Sequence, residues 1–358
     1  ELPAIENVRV EKEFPNKYHM SMPGRFILQK FLREMKNAGC KYVTLEVTSE
    51  GIKQWRHLGL FLDVAVFTNL SPEHLASHGG SFAKYRETKT RIFKRNIFDK
   101  LKLIIVNADD ENSNYFLEAP KDTLEKLNYS LGRVSEFKED QSGISFEFEK
   151  EVYKLNILGK FNIYNALPAI LLGKRYGLNT TQIKEGLLKL NLIPGRMELI
   201  EEGQDFKVIV DYAHEKLSMN SLLDSAENLK NNPIGNKIII VLGGDGGGRL
   251  YDMGEAVGKK ADVVIVSDSD PYFDDELIIA EKIAGEAEKF GKVKDKDLFI
   301  VLDRAEAIRK AISLATEGDV VLLATRGSLN TMDIKGKKVP SDDRVIVREA
   351  LRNIKKDI

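Results

Sequence analysis

A carboxylate, two hydroxyls and a second carboxylate stand close together in Glu46-Val-Thr-Ser-Glu-Gly51, where a hydrophobic run ends. Oxygen donors at the end of a strand suit a hard cation such as Mg2+, and the same residues also suit a capped turn into a helix. Asn69-Leu-Ser-Pro-Glu-His-Leu-Ala-Ser-His78 holds two of the chain's five histidines. Within it His74 reads as a metal ligand, a hydrogen-bond donor or an ordinary surface histidine. Lys89 lies one helical turn before Phe93 and by itself reads as a solvated lysine. Asn162 and Asn165, at i and i+3, share a helical face; Asn162 suits an N-cap, whereas Asn165 inside the helix needs a partner. Arg196 follows Pro194-Gly195, and Asp211 ends the run Val208-Ile-Val. Such a pair suits the phosphate and ribose of a nucleotide, or equally an interdomain salt bridge. Gly243-Gly-Asp-Gly-Gly-Gly-Arg249 occupies the strand-to-helix position of an anion-binding loop. It is not a Walker A sequence, because no Lys-Ser or Lys-Thr follows, and its spacing misses the dinucleotide fingerprint.

Residues of this kind need strands that end in loops, and the second half supplies them. Strand-like runs at 208–210, 238–242, 263–266, 299–302 and 320–323 alternate with helical stretches near 218–229, 252–260, 275–290 and 304–316. This βαβα alternation predicts a parallel sheet covered on both faces, with ligands at the C-terminal strand ends. The first half reads as mixed α/β. A helix over Arg25–Asn37 is stopped by Gly39, strand-like runs fall at Tyr42–Val47, Val64–Asn69 and Leu103–Asn107, and shorter strands follow from Leu131 to Leu158. Helices are expected over 162–176 and 181–190. The turn Leu192-Ile-Pro-Gly-Arg196 is the expected boundary, dividing the chain into domains 1–194 and 195–358.

The length of 358 residues agrees with two domains at about 150 residues each. With 54 basic and 55 acidic side chains, the net charge of −1 offers no bulk electrostatic reason to bind nucleic acid or a membrane surface. One cysteine, Cys40, can form neither an internal disulfide nor a zinc cluster, which fits a reducing compartment. No apolar run approaches the roughly 20 residues that cross a bilayer. A cytoplasmic monomer is expected. The start at Glu1 suggests a fragment lacking an N-terminal portion.

In order along the chain, these motifs resemble the Mur ligases. The series is Glu46-Val-Thr-Ser-Glu-Gly51, Phe67-Thr-Asn-Leu-Ser71 with His74 and His78-Gly79, Lys89 before Phe93, and Gly159 with Phe161-Asn162 and Asn165. Pro194-Gly-Arg-Met-Glu198, Asp211-Tyr-Ala-His214 and Asp342-Asp-Arg344 complete it. The form is closest to the MurE-type UDP-N-acetylmuramoyl-tripeptide synthetases. The resemblance implies a central domain with a P-loop-type mixed sheet, its start missing, followed by a Rossmann-like C-terminal domain. It also implies ATP-dependent amide formation: the acceptor carboxylate of a UDP-muramoyl-dipeptide takes the γ-phosphate, and an incoming amino acid attacks the acyl phosphate. Mg2+ neutralises the developing charge, and closure excludes water.

By this resemblance Glu46, His74 and a carbamylated Lys89 place magnesium and are the catalytic set. Asn165, Arg196 and Asp211 hold ATP, and Ser21, Thr48, Ser49, Gln54 and Arg56 bind the UDP-muramoyl-peptide. Arg249, Asp270, Tyr272 and Arg326 fall where the amino acid binds. The family's P-loop should precede Ser21-Met-Pro-Gly24, so the chain alone is expected to be inactive. Three departures bear on the added amino acid. Ser269-Asp-Pro-Tyr272 replaces Asp-Asn-Pro-Arg, Leu329 replaces the Glu of Gly-Lys-Gly-His-Glu, and the glycine-rich loop lacks Lys-Arg-Pro. A diamino acid other than the standard diaminopimelate is the expectation. A folylpolyglutamate- or cyanophycin-type ligase, or a non-catalytic nucleotide-binding homologue, is the competing reading. A zinc-ribbon amidotransferase partner is excluded by the single cysteine.

Overall fold

A computed structural model of the chain describes residues 7–9, 13–15, 22–72, 75–94, 101–120, 124–140, 142–247 and 251–354. It divides into two compact units, Glu1–Arg133 with Leu167–Arg175, and Val134–Ala166 with Tyr176–Ile358.

The first unit opens with a short antiparallel ladder of β1 (Asn7–Arg9) and β2 (Glu13–Pro15). Helix α1 (Arg25–Asn37) buries Leu28 and is followed by Gly39 at φ +81°, a left-handed conformation that glycine adopts without a Cβ penalty. After α2 (Ser49–Lys53) come β3 (Val64–Phe67), α3 (Phe82–Thr90), β4 (Leu103–Asn107), α4 (Ser113–Glu118) and β5 (Glu125–Tyr129). The three strands form a parallel sheet in the order β3-β4-β5. Every residue of β4 is buried. Phe67, Tyr85, Phe93, Val106 and Phe116 make the core beneath it, with the Phe67 and Phe116 rings stacked. Tyr42–Val47, expected as a strand, forms no ladder with any described residue, and Tyr42 and Val43 are exposed. β-Branched composition favours a pleated surface only where a neighbouring strand accepts its hydrogen bonds.

In the second unit β6 (Val134–Asp140), β7 (Gly143–Phe148) and β8 (Glu151–Leu155) form an antiparallel meander. Helix α5 (Asn162–Arg175) begins here, while its residues from Leu167 group with the first unit. Helix α6 (Thr180–Leu188) starts with a reciprocal Asn179–Gln182 capping box. Then follow β9 (Glu198–Ile200), β10 (Lys207–Val210), α7 (Lys216–Leu229), β11 (Ile238–Gly244) and α8 (Met253–Lys260). The chain continues through β12 (Val263–Asp268), α9 (Glu276–Glu288), β13 (Leu298–Ile300), α10 (Arg304–Leu314) and β14 (Val320–Leu323). A hairpin, β15 (Thr331–Ile334) and β16 (Lys337–Pro340), precedes α11 (Asp343–Ile354).

The six-stranded sheet has the order β13-β12-β11-β14-β10-β9, parallel except for β9. Its strands are covered on both faces, as the alternation predicts. Ile238, Ile240 and Leu242 pack with Met219, Val257 and Ile283 of α7, α8 and α9. Ile239 and Val241 pack on the opposite face with Ile308, Ile312 and Val347 of α10 and α11. Each fully buried aliphatic contributes about 1.5–3 kcal/mol, so such a two-faced strand anchors the unit. Strand β14 is last of the parallel set in sequence but inserts between β11 and β10. The loops after β10, β14, β11 and β12 therefore emerge side by side at one sheet edge.

Candidate active site

In the first unit the segment 48–56 is organised by its own polar side chains. Thr48 caps α2, its Oγ1 accepting the Gly51 N–H at 3.1 Å. Glu50 Oε1 accepts from Gln54 Nε2 at 2.7 Å, and Gln54 Oε1 accepts from Arg56 Nε and Nη2 at 3.0 and 2.6 Å. Arg56 Nη1 donates to the Met22 carbonyl at 2.6 Å. Gly51 lets Met22 approach, since a Cβ there would stand 2.3 Å from the Met22 sulfur. Ser49 is buried, with Oγ 3.2 Å from Nε2 of the buried His78. The His78 ring lies 5.1 Å from the Tyr85 ring, and Lys89 Nζ, one turn along α3, lies 5.8 Å from that same ring. Two expected site residues, Ser49 and Lys89, are thus joined through His78 and Tyr85. The sequence marks His78 only as a motif member and gives Tyr85 no role, although the Tyr85–Lys89 spacing of one helical turn places the two on one face. Glu46 is half-buried just before the Thr48 cap. Ser21, His74 and Arg249 lie outside the described residues.

In the second unit Asn162 Nδ2 donates to the Leu158 carbonyl at 2.6 Å, and Asn165 Nδ2 donates to Asn162 Oδ1 at 2.9 Å. The helical partner that Asn165 requires is thus Asn162. Gly159, at φ +94°, packs against the Phe161 ring, and its N–H donates to Glu139 Oε1 at 2.6 Å. Burial pushes the Glu139 carboxyl up, opposed by that hydrogen bond and by Lys160.

Asp211 is buried at the end of β10. Its Oδ2 accepts the Met197 N–H at 2.8 Å and its Oδ1 accepts the Ala213 N–H at 2.7 Å. Burial pushes its pKa up, against the pull of the two amides and of Arg196. The Arg196 guanidinium lies 4.6 Å from the Tyr212 ring centroid, a cation–π contact. The Asp–Arg pair is thus set by two neighbouring segments: Asp211, after β10, shapes the backbone of the turn before β9 that carries Arg196, and Tyr212 supports the guanidinium.

The neighbouring loops carry the remaining candidates. Ser269 Oγ donates to Asp245 Oδ1 at 2.9 Å, and Asp270 Oδ1 accepts the Asp333 N–H at 2.6 Å. Tyr272 adopts φ +54° and is held by backbone hydrogen bonds with Asp333 and Lys335. Arg326 is completely buried. Its Nη1 donates to Ser269 O at 3.1 Å, its Nη2 donates to Thr331 O and Ser341 O at 2.8 and 3.3 Å, and Asp270 lies 3.8 Å away. Beside it Arg304 pairs bidentately with buried Asp343 and donates to the Ala324 carbonyl. Asp268 is pushed up to about 6, first by burial and then by Glu276.

A family model described as Mur ligase middle domain matches residues 5–173, and one described as Mur ligase, glutamate ligase domain, matches 195–327. The chain is 32% identical over 366 residues to a UDP-N-acetylmuramyl-tripeptide synthetase from Roseiflexus sp. (strain RS-1), covering 96% of this chain and 71% of that one. It belongs to the Mur ligase family. A second relative, the UDP-N-acetylmuramoyl-L-alanyl-D-glutamate–2,6-diaminopimelate ligase of Caldanaerobacter subterraneus subsp. tengcongensis, is also 32% identical, over 98% of this chain and 72% of its own. A solved UDP-N-acetylmuramoyl-L-alanyl-D-glutamate–2,6-diaminopimelate ligase superposes with TM-score 0.62 at 26% identity, over 96% of this chain and 71% of that one. Mycobacterium tuberculosis folylpolyglutamate synthase, at 17% identity and TM-score 0.60, shares the fold.

As a Mur ligase the chain is one of the ATP-dependent amide-bond ligases, and its mixed α/β fold is the family's. In this Mur ligase the turn that carries Arg196 into β9, the loop that opens with Asp211 after β10, the Ser269–Tyr272 loop and the Arg326 turn lie at the same end of one sheet. No helix among the described residues is long and apolar enough to cross a membrane.

Proposed function

We propose that this Mur ligase joins a diamino acid to UDP-N-acetylmuramoyl-L-alanyl-D-glutamate with ATP, as a cytoplasmic monomer acting in peptidoglycan precursor synthesis. Its central domain is residues 1–194 and its C-terminal domain residues 195–358. The observation that carries the reading is the ordering of polar loops at the C-terminal edge of the six-stranded sheet, in a chain 32% identical to a tripeptide synthetase over 96% of its length. Asn165, Arg196 and Asp211 serve the nucleotide. Thr48, Ser49, Gln54 and Arg56, with Ser21, serve the UDP-muramoyl-peptide.

Mg2+ is the cation that the phosphate chemistry calls for. Among the described residues no three His, Cys, Asp or Glu side chains gather as a metal site, so the donors available near α3 matter. An unmodified Lys89 would repel a cation. Carbamylation would turn it into a carboxylate-like ligand to act with Glu46 and His74, and a bound ion would supply charge neutralisation at the phosphates.

The side chain of the amino acid follows from charge. Tyr272 stands where diaminopimelate ligases carry an Arg, and the Arg326 guanidinium is engaged by three carbonyls and Asp270. Asp245, Asp268 and Asp270 surround the same loops. Unless Arg249, outside the described residues, supplies the charge, a second substrate carboxylate there costs several kcal/mol, whereas an amine is favoured. Lysine or ornithine fits this balance. Phosphate release from MgATP, measured on the chain and on any longer product of its reading frame, should require both the UDP-muramoyl-dipeptide and an amino acid. Exclusive use of diaminopimelate would overturn the side-chain assignment, and turnover with folate and glutamate instead would overturn the substrate class.

A further inference from the structure

Glu198 and Arg344 belong to two sequence motifs that the roles above leave without a task. Glu198 is buried at the start of β9. Its Oε2 accepts the Gly195 N–H at 2.8 Å, closing the turn that presents Arg196. A buried carboxylate needs compensating charge, and α11 provides it: Arg344 Nη1 lies 3.9 Å from Oε2, and Arg348 Nη2 lies 3.6 Å from Oε1. Arg344 is itself fixed by Asp342, with Nε donating to Oδ1 at 2.9 Å and Nη2 donating to Oδ2 at 2.7 Å. Burial works against the Asp342 carboxylate, yet the Arg344 hydrogen bond holds its pKa below the usual range.

The same Arg344 Nη2 also donates to the Ser328 carbonyl at 3.2 Å. Ser328 sits in the turn that follows Arg326, closed by the Leu329 N–H donating to the Arg326 carbonyl at 3.0 Å. The two turns touch through their backbones. A Cβ on Gly195 would stand 2.1 Å from the Ser328 nitrogen, and one on Gly327 would stand 2.8 Å from the Gly195 carbonyl oxygen. Contact without side chains supplies no directional hold, and one guanidinium supplies it to both turns.

We infer that Arg344 is a positioning residue that braces the Gly195–Met197 turn, through Glu198, to the Gly327–Leu329 turn, so that the two turns order and loosen as one. The brace stands on the geometry alone; that it couples a nucleotide site to an amino-acid site rests on the proposed function. Under that reading, ordering one turn around its ligand prepares the other, with no change elsewhere in the sheet.

Amide hydrogen exchange on the purified chain, read in peptides spanning 193–198 and 325–331, tests the brace without any ligand, so a failure of the ligase reading leaves its result unaffected. Glu198→Gln keeps an acceptor for Gly195 but removes the charge facing Arg344, and Arg344→Gln removes the fork. Each change should speed exchange in both peptides by roughly tenfold while β11 and β14 keep their protection, and the double variant should match the single ones. Arg344→Lys, the mildest change, should restore protection in the 193–198 peptide more than in the 325–331 peptide, because it keeps the charge and loses the fork. Loosening of only the turn nearest each substitution, additive effects in the double variant, or unchanged exchange would each overturn the inference.

Discussion

Asp211 Oδ2 accepts the backbone N–H of Met197 at 2.8 Å, while its other oxygen accepts the N–H of Ala213. One buried carboxylate therefore ties the turn carrying Arg196 to the end of β10. Asp211→Ala leaves two buried amides without acceptors and should cost about 2–4 kcal/mol. Asp211→Asn retains an oxygen for one of them and should cost less. Urea denaturation of both variants checks the order.

Gly195 adopts φ +65°, and a Cβ there would stand 2.1 Å from the Ser328 nitrogen, a backbone atom that cannot swing aside. Gly195→Ala combines a left-handed strain with overpacking, and we expect a loss of about 2 kcal/mol or more. Gly285→Ala serves as the contrast. That glycine lies inside α9 with open space around its Cβ position, so the change should be neutral or stabilising. Thermal melts of the two variants measure the difference.

The Asp268 carboxyl, raised from 3.8 to about 6 chiefly by burial, gives a pH dependence with a definite sign. Between about pH 4 and pH 6 the folded state binds more protons at this site than the unfolded chain does, so this group's contribution to stability falls as pH rises. Asp268→Asn removes that cost. The variant should melt higher than the parent at pH 8 and lose its advantage near pH 4. An equal gain at both values would show that the effect is not the titration of Asp268.

Arg326 is fully buried among Ser269 O, Thr331 O, Ser341 O and Asp270. Truncation leaves three carbonyls and a carboxylate without their cation, and Arg326→Ala should destabilise by about 3–5 kcal/mol. A side chain that served only to bind the amino acid would leave the melting temperature of the ligand-free chain unchanged.

Lys89→Ala should lower MgATP-dependent turnover in an active form of the ligase by more than about 100-fold, with partial rescue by a short carboxylic acid that replaces the carbamate. A 13C carbamate resonance after incubation with labelled bicarbonate, absent from the variant, identifies the modification directly. Near-normal activity of Lys89→Ala would return the residue to an ordinary half-buried lysine.

Much of the second unit was legible from the chain alone. Ile238–Leu242 is continuously apolar because both faces of β11 are buried, and such a run announces itself in composition without reference to any partner. Helix starts were legible for a similar reason. Asp275 accepts the N–H groups of Leu277 and Ile278, and Asp303 accepts that of Glu306, so each cap is formed within a few residues of sequence. The order of motifs identified the family because it is a property of the chain itself.

The bonding partners of individual polar residues were decided elsewhere. Tyr42–Val47 has the composition of a strand but forms no ladder with the described residues, since a ladder is completed by residues far away in sequence. For Arg326, the sequence carries no sign of the backbone carbonyls of Ser269, Thr331 and Ser341 that engage it once β14 inserts between β11 and β10. Asn165 found its partner only three residues away, whereas Asp211 and Arg344 depend on turns 14 and 16 residues distant. Periodicity and capping are local, so the sequence by itself determined the elements and the family. Hydrogen-bond satisfaction of a buried charge is non-local, so only the tertiary structure decided which backbone and side-chain groups each buried charge is bonded to.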